Sequence, residues 1–249
     1  MITREQLLKY IYNAMLTNSL VTSNEVDGIL QMAYGKRCNS NVRYIFEHTL
    51  PGTVRIDDFF LRKEGEDIVL VFCMPSYESL DLGDCIDIIG SHAFLGNYII
   101  KNIRGESVKQ IQDGAFSDCQ FLNIVEFPRV DIIETRCFKD CFKLCKVKIS
   151  PVELEALAFS NCYKLKSFDF SKTTYIGNKA FEYTNISSIN APMLYHIGWY
   201  AFLGTKVKKL IAPNLTSLHD TAFAGCTLEL ICTPEDIKQQ IIVNQESYE

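Results

Sequence analysis

Apolar residues recur along most of this chain with a period of 21–22 residues. Seven phenylalanines mark the period: Phe94, Phe116, Phe138, Phe159, Phe181, Phe202 and Phe223, with successive gaps of 22, 22, 21, 22, 21 and 21. Alanine precedes six of them, and Cys137 takes that place before Phe138. Five residues before each Phe stands an aliphatic: Ile89, Ile111, Ile133, Leu154, Ile176, Ile197 and Leu218. A fixed period of this length, with apolar anchors in phase, predicts stacked repeats. One unit cannot bury its apolar face alone, but neighbouring units can bury a continuous core.

The repeat also reads internally. Phe116 is followed by Cys119, Leu122, Val125 and Phe127; Phe138 by Cys141, Leu144, Val147 and Ile149; Phe159 by Cys162, Leu165, Phe168 and Phe170. After Phe181 and Phe202 the third position is Thr184 or Thr205, and the run is one residue shorter. The alternation in Leu-x-x-Ile-x-Ile predicts a short strand with one buried face. The Gly-x-x-Ala-Phe part is too short for a long helix, so a single helical or 3₁₀ turn is expected on the opposite side of the coil. With strands 4.7–4.9 Å apart, seven coils make a rod about 34 Å long.

The pattern changes at both ends. Thr3 with Glu5 and Gln6 predicts a helix start, with Leu7, Leu8, Ile11, Tyr12, Ala14, Met15 and Leu16 as its apolar stripe. Ser23 or Asn24 is expected to cap a second helix that Gly35 ends. Asn39 to His48 reads as a third, and Pro51-Gly52 as a turn. Val54–Phe60 and Ile68–Met74 read as strands joined by a hairpin turn over Glu64–Asp67, the second strand buried on both faces. Leu80–Ile89 reads as a degenerate first coil. At the far end Thr233, Pro234, Glu235 and Asp236 predict a helix with Thr as cap and acids in its first turn. Ile237, Ile241 and Ile242 would fold back over the last coil, leaving Asn244–Glu249 as a polar, frayed tail. The expected division is residues 1–79, an N-terminal helical cap plus two strands; 80–232, the solenoid; and 233–249, a C-terminal capping helix and tail. Residues 1–79 read either as a cap over the first coil or as a separate helical binding module.

Composition narrows the function. The chain has 249 residues with 47% hydrophobic and 22% charged, ordinary for a globular protein. Net charge is −5, and residues 80–249 hold 17 Lys/Arg against 20 Asp/Glu. That balance argues against direct nucleic-acid binding through phosphates. No leader-like segment and no long apolar run is found, so a cytoplasmic protein of a cell, phage or virus without a membrane span is expected; a chain that has lost its signal peptide would read the same. Of the ten cysteines, Cys119, Cys141, Cys162 and Cys226 sit at one repeat position, where packing explains them. Cys137-x₃-Cys141-x₃-Cys145 has no established zinc spacing, so no metal or other cofactor is expected. Buried free thiols suit a reducing compartment. His92, His196 and His219 occupy different positions in their repeats, and no nucleophile, metalloprotease or nucleotide motif occurs. No enzyme is expected.

The repeat resembles the BspA-type leucine-rich repeat, whose unit reads I-G-x-x-A-F-x-x-C-x-x-L-x-x-I-x-I-P. Ile89-Gly90-Ser91-His92-Ala93-Phe94 and Ile197-Gly198-Trp199-Tyr200-Ala201-Phe202 match its first half, and Cys162 to Phe170 its second. The resemblance spans residues 80–234. It implies an α/β repeat fold, a leucine-rich-repeat solenoid of about seven 21–22-residue coils, here with a mixed helix/strand N-terminal cap and a short C-terminal capping helix. It also implies a protein-binding role, known among secreted adhesins and intracellular proteins alike.

Candidate binding residues are positions that break the rule followed by their siblings. Three residues before Phe, six coils hold small or polar groups and the seventh holds Trp199, the only tryptophan; Tyr200 follows it. The pair reads as an exposed interface anchor, or as side chains packed against a neighbouring coil. Four residues after Phe stand Tyr98, Gln120, Phe142 and Tyr163, either a binding stripe or a cover for the coil edges. The outward strand positions include Arg104, Glu126, Lys146, Lys148, Asp169 and Lys209, either a specific polar surface or a solvated face. The expected function is therefore non-enzymatic: an intracellular adaptor or inhibitor that binds a larger protein through the solenoid surface. The alternatives are an extracellular adhesin, self-assembly through an uncapped end, and an enzyme with a site at the junction of cap and solenoid.

Overall fold

The structure, a computed structural model, describes residues 3–34 and 40–246. Three helices open the chain: α1 (Arg4–Leu16), α2 (Val26–Tyr34) after a 3₁₀ turn over Ser23–Glu25, and α3 (Ser40–Thr49). Thr3 caps α1 as expected, its hydroxyl accepting from the Gln6 N–H while the Gln6 side chain accepts from the Thr3 N–H. The second start is one residue earlier than expected: Thr22, not Ser23 or Asn24, donates its N–H and hydroxyl to the Glu25 carboxylate, both at 2.8 Å. Gly35 and Asn39 lie outside the described residues. In α1 only Leu7, Ile11 and Ala14 are buried, so the apolar stripe is narrower than the pattern suggested.

Three strands follow rather than two. β1 (Val54–Ile56) and β2 (Phe59–Glu64) are separated by a turn in which Asp57 adopts φ +52°, and β3 (Asp67–Cys73) pairs antiparallel with β2. The β2–β3 hairpin turns at Gly65, φ +59°, where a residue without Cβ is at ease. Ile68 to Cys73 are all buried, as a run apolar on both faces requires. β3 then pairs in parallel with Ile88–Ile89, so the hairpin is continuous with the repeats.

From there two-residue strands stack in parallel: Ile88–Ile89, Gln110–Ile111, Ile132–Ile133, Glu153–Leu154, Tyr175–Ile176, His196–Ile197 and Ser217–Leu218. With β1–β3 they make one ten-stranded sheet. On the other side of the coils run Ser79–Asp81, Asn102–Arg104, Ile124–Glu126 and Lys146–Lys148 as a four-stranded sheet, and Ser188–Asn190, Lys209–Ile211 and Leu230–Cys232 as a three-stranded one. The expected continuous strand face is thus interrupted. The coil between them, Lys166–Phe170, forms no strand. There Phe168 and Phe170 both reach inward, Phe168 edge-on to Phe159 at 5.2 Å and to Phe181 at 5.1 Å. Beyond it the buried position closing each strand shrinks from Phe127, Ile149 and Phe170 to Ala191 and Ala212.

The seven repeat phenylalanines form one buried stack. Neighbouring ring centroids are 4.8–5.4 Å apart and within 12° of parallel. The Gly-x-x-Ala-Phe segments are consecutive turns rather than the helical or 3₁₀ turn expected. The residue two before Phe takes a left-handed backbone, φ +53° to +62°, at His92, Gly114, Arg136, Leu157, Lys179 and Tyr200. That conformation cannot continue a right-handed turn. It is held by a ladder to the next coil, with Phe116 N–H donating to Cys137 O and Phe159 N–H to Ala180 O, at 2.8 and 2.7 Å.

The buried thiols have a defined partner. Cys119, Cys141, Cys162 and Cys226 each donate to the carbonyl of the phenylalanine one coil earlier, at 3.0–3.2 Å. Thr184 and Thr205 instead donate to the phenylalanine of their own coil. Cys145 and Cys232 are exposed. Brief treatment of the native, reduced protein with a maleimide should therefore label Cys145 and Cys232 and spare Cys119, Cys137, Cys141 and Cys162; peptide mass mapping reads this directly.

Both ends are closed. Arg4 of α1 pairs with Asp87 at 2.7 Å and donates to Cys85 O and Glu66 O, and Tyr34 of α2 donates to Leu95 O at 2.7 Å. Helix α4 (Glu235–Glu246) buries Ile237 and Ile241 against the last coil, and Gln240 donates to Leu218 O and Asp220. Its first carbonyl acceptor is Pro234, which takes the Lys238 N–H, while the Thr233 hydroxyl donates to Pro234 O. Thr233 is thus not the cap. The helix also includes residues 244–246, expected as tail, and 247–249 lie outside the described residues.

Candidate functional site

Trp199 sits in the turn that follows the strand His196–Ile197. Its backbone N–H donates to the Asn178 side-chain oxygen at 3.1 Å, and its ring meets the Tyr200 ring edge-on at 5.5 Å. The Lys179 ammonium lies 5.3 Å from the Trp199 ring centre and 5.7 Å from that of Tyr200, and it pairs with the buried Glu182 at 3.1 Å. Trp199 still exposes 38% of its surface. The indole thus rests against Lys179 of the preceding coil with part of its surface open to solvent, while Tyr200, expected to be exposed, is half-buried.

The register places further aromatics beside it. Tyr175 and His196 are Cα partners on adjacent strands, and their rings stack 4.8 Å apart at 7°. Tyr195 is 47% exposed. Burial and the nearby Glu155, Tyr195 and Glu153 push the Tyr175 phenol up, and burial holds His196 below its usual range. Tyr175, Tyr195 and His196 were not singled out from the sequence. Comparing the two positions at and before each short strand, coil by coil, would have found them.

Of the edge column, the structure brings only Phe142 and Tyr163 together, stacked at 5.5 Å. Tyr98 is separated from them by the Gln120 coil. Phe121, one position along, is 41% exposed and carries the Lys143 ammonium 4.2 Å above its ring.

The strand-face candidates fall into three places. Arg104, Glu126, Lys146 and Lys148 share the four-stranded sheet. Arg104 pairs with Asp81 at 2.5 Å, which holds Asp81 below the usual carboxylate range, and Lys148 at 2.7 Å does the same for Glu126. Asp169 lies in the interrupted coil and accepts from the Ser150 hydroxyl and the Ser171 N–H, which lower its pKa. Lys209 stands on the three-stranded sheet.

Charge sorts by face, which a count over the whole chain conceals. At the short strands of the ten-stranded sheet and the turns after them stand Asp113, Asp131, Glu134, Glu153 and Glu155, against Lys109, Arg136 and Lys179, while β2 and β3 add Arg62, Lys63, Glu64 and Asp67. On the opposite side, between Phe142 and Asp169, stand Lys143, Lys146, Lys148, Lys164 and Lys166.

The junction of cap and first coil holds a cleft of about 420 Å³ lined by Leu7, Ile56, Phe59, Leu61, Leu82 and Ile86, with Arg4, Asp57, Asp81, Asp84 and Cys85 among its polar groups. Arg4 and Asp81 are engaged in the ion pairs above. Burial and Asp84 push the Cys85 thiol up, away from the thiolate that would make it a nucleophile. Among the described residues no cluster of His, Cys, Asp or Glu is arranged to hold a metal ion, and no helix is long and apolar enough to cross a membrane.

The chain matches the family model for the BspA type leucine rich repeat region, in six copies, over residues 70–175 and 174–241. Among solved structures it is similar to a leucine rich cell surface protein from Faecalibacterium prausnitzii, at 19% identity and a TM-score of 0.67, over 73% of this chain and 54% of that one. It therefore spans about half of that protein. It is also similar to the leucine rich repeat protein of T. pallidum, at 20% identity and a TM-score of 0.63, over 77% of this chain and 95% of that one. No curated protein sequence gives a significant match. With repeats in phase from Phe94 to Phe223, a continuous phenylalanine stack and a family match over more than half its length, this chain belongs to the BspA-type leucine-rich-repeat family.

Proposed function

We propose that this chain is a non-enzymatic, intracellular adaptor or inhibitor that binds a larger protein with Trp199 as its central anchor. One observation carries the reading. The only tryptophan has its backbone held by Asn178 and its ring by Lys179 and Tyr200, yet exposes 38% of its surface, three residues along the chain from His196 of the Tyr175–His196 stack. Aromatic side chains fixed before docking lose little entropy on binding and are favoured as hot spots. Glu153 and Glu155 flank this patch, and that suits a partner surface with cationic groups. The buried thiols of Cys119, Cys141 and Cys162 each donate to a backbone carbonyl, a role for the reduced side chain that suits a reducing compartment.

A partner captured from a reduced lysate of the native host, purified and titrated with wild type and with Trp199→Ala, tests this. The variant is expected to weaken the complex by about 1–3 kcal/mol with an unchanged circular dichroism spectrum. Equal affinity would remove Trp199 from the interface. A second reading, an extracellular adhesin, draws on the Faecalibacterium protein's description as a cell surface protein. Disulfide-linked cysteines in protein isolated from its native source would favour it.

A further inference from the structure

We propose that the side of the rod carrying the short three-residue strands is a second docking face, separate from Trp199, whose occupant is an acidic stretch of polypeptide. The argument starts from which lysines are already neutralised. Lys146 and Lys148 share the single carboxylate of Glu126, and Lys208 is matched by Glu229 at 2.6 Å. Among the described residues, Lys164, Lys166, Lys206 and Lys209 form no ion pair, and all four are exposed. The face therefore keeps an excess of positive charge at the interrupted coil and beyond it, whereas before it Glu78, Asp81, Glu106 and Glu126 balance Lys101, Arg104, Lys146 and Lys148.

Apolar anchors stand in the same stretch. Phe142 and Tyr163 stack at 5.5 Å, with Tyr163 46% exposed, and Lys164 follows Tyr163 directly. Phe121 offers a second exposed ring beneath Lys143. Lysines interleaved with exposed rings recognise a ligand that is anionic and also has apolar groups to cover the rings.

Polypeptide fits this face better than nucleic acid. Glu126, Asp169 and Glu229 stand among the lysines, where a continuous row of phosphates would be forced past them. An acidic peptide can space its carboxylates to meet the lysines and turn apolar residues toward Phe142 and Tyr163.

Fluorescence anisotropy of a labelled 15-residue peptide of alternating Asp/Glu pairs and Phe or Leu provides the test, with a basic peptide of the same apolar content and a 15-nucleotide oligo-dT as comparisons. The acidic peptide is expected to bind, with an affinity that falls as salt rises. Lys164→Glu/Lys166→Glu should weaken it about tenfold or more, since each reversal exchanges an attraction for a repulsion of similar size. Lys164→Gln/Lys166→Gln should weaken it less, and Trp199→Ala should not change it. All variants should share the wild-type circular dichroism spectrum; if the reversal fails to fold, the Gln pair decides. No binding, or binding that neither lysine variant changes, overturns the proposal. So does oligo-dT binding more tightly than the peptide and being lost in the same variants, which would make the face a nucleic-acid site. Because Trp199→Ala is tested against each ligand, failure here leaves the Trp199 reading standing, and the converse also holds.

Discussion

Phe181→Ala is expected to destabilise the protein by about 3–5 kcal/mol, a large part of the 5–15 kcal/mol typical of a folded domain. Phe181 is fully buried and lies parallel to Phe159 and Phe202, each at 5.4 Å, and edge-on to Phe168 at 5.1 Å and Phe170 at 5.3 Å. Truncation leaves a cavity that four rings cannot all move to fill. The position also matters because each coil contacts only its neighbours, so weakening one coil weakens the coupling between the arrays on either side. Trp199 lies one coil further on and is the only tryptophan, so its fluorescence reports the C-terminal coils, while far-ultraviolet circular dichroism reports the whole chain. In urea the wild type should give coincident transitions. In Phe181→Ala the fluorescence midpoint should fall furthest and separate from the dichroism midpoint. A loss below about 1 kcal/mol with coincident curves would mean that the stack does not couple the coils.

Stability should also collapse in alkali, and the thiols set the window. Cys73, Cys119, Cys137, Cys141 and Cys162 are buried, and burial pushes each thiol well above its usual range. In the unfolded chain a thiol ionises near its ordinary pKa of about 8.5, while in the folded chain it stays protonated. Above that pH the folded state holds more protons than the unfolded one, so stability falls as pH rises. The contribution is intact below about pH 8 and is lost by up to about 1.4 kcal/mol per pH unit for each thiol. Five thiols acting together remove on the order of 7 kcal/mol per unit at full slope. Tyr77 and Tyr175, whose phenols are also raised by burial, act in the same direction above about pH 10. The melting temperature should be level from pH 7 to 8 and drop steeply above about pH 9. Cys119→Ala/Cys162→Ala should lose some stability at neutral pH and show a shallower alkaline slope. A wild-type melting temperature that stays level to pH 10 would mean that the thiols are blocked or oxidised, and that would count for the extracellular reading.

Much of the architecture was legible because the repeat constrains itself. A position that must be buried in every coil can hold only a narrow chemistry, so the phenylalanines, their preceding alanines and the Cys/Thr position announced the core, and each of those phenylalanines is buried. The caps were legible for a related reason. The Thr3–Gln6 box and the Ile237/Ile241 spacing are local patterns, and local patterns survive in one dimension. Other features depended on the close approach of separate coils. The left-handed residue two before Phe in the first six coils is held by a hydrogen-bond ladder to the next coil, about 21 residues away, so a single repeat read alone suggested a helical turn. The interruption at Lys166–Phe170 coincides with two phenylalanines, Phe168 and Phe170, that both pack edge-on to Phe181 in the next coil, a contact no single repeat reveals.

The binding surfaces divide in the same way. The oddity of Trp199 was visible by comparing sibling repeats. Its setting on Lys179 and beside the Tyr175–His196 stack required the register of adjacent strands. The sequence by itself determined the period, the core and the ends, because burial repeats with the chain. Only the tertiary structure decided that carboxylates outnumber cations on one side of the rod and lysines outnumber carboxylates on the other. Charges spread along a chain can balance in number, while the winding of the coils assigns each one to a face.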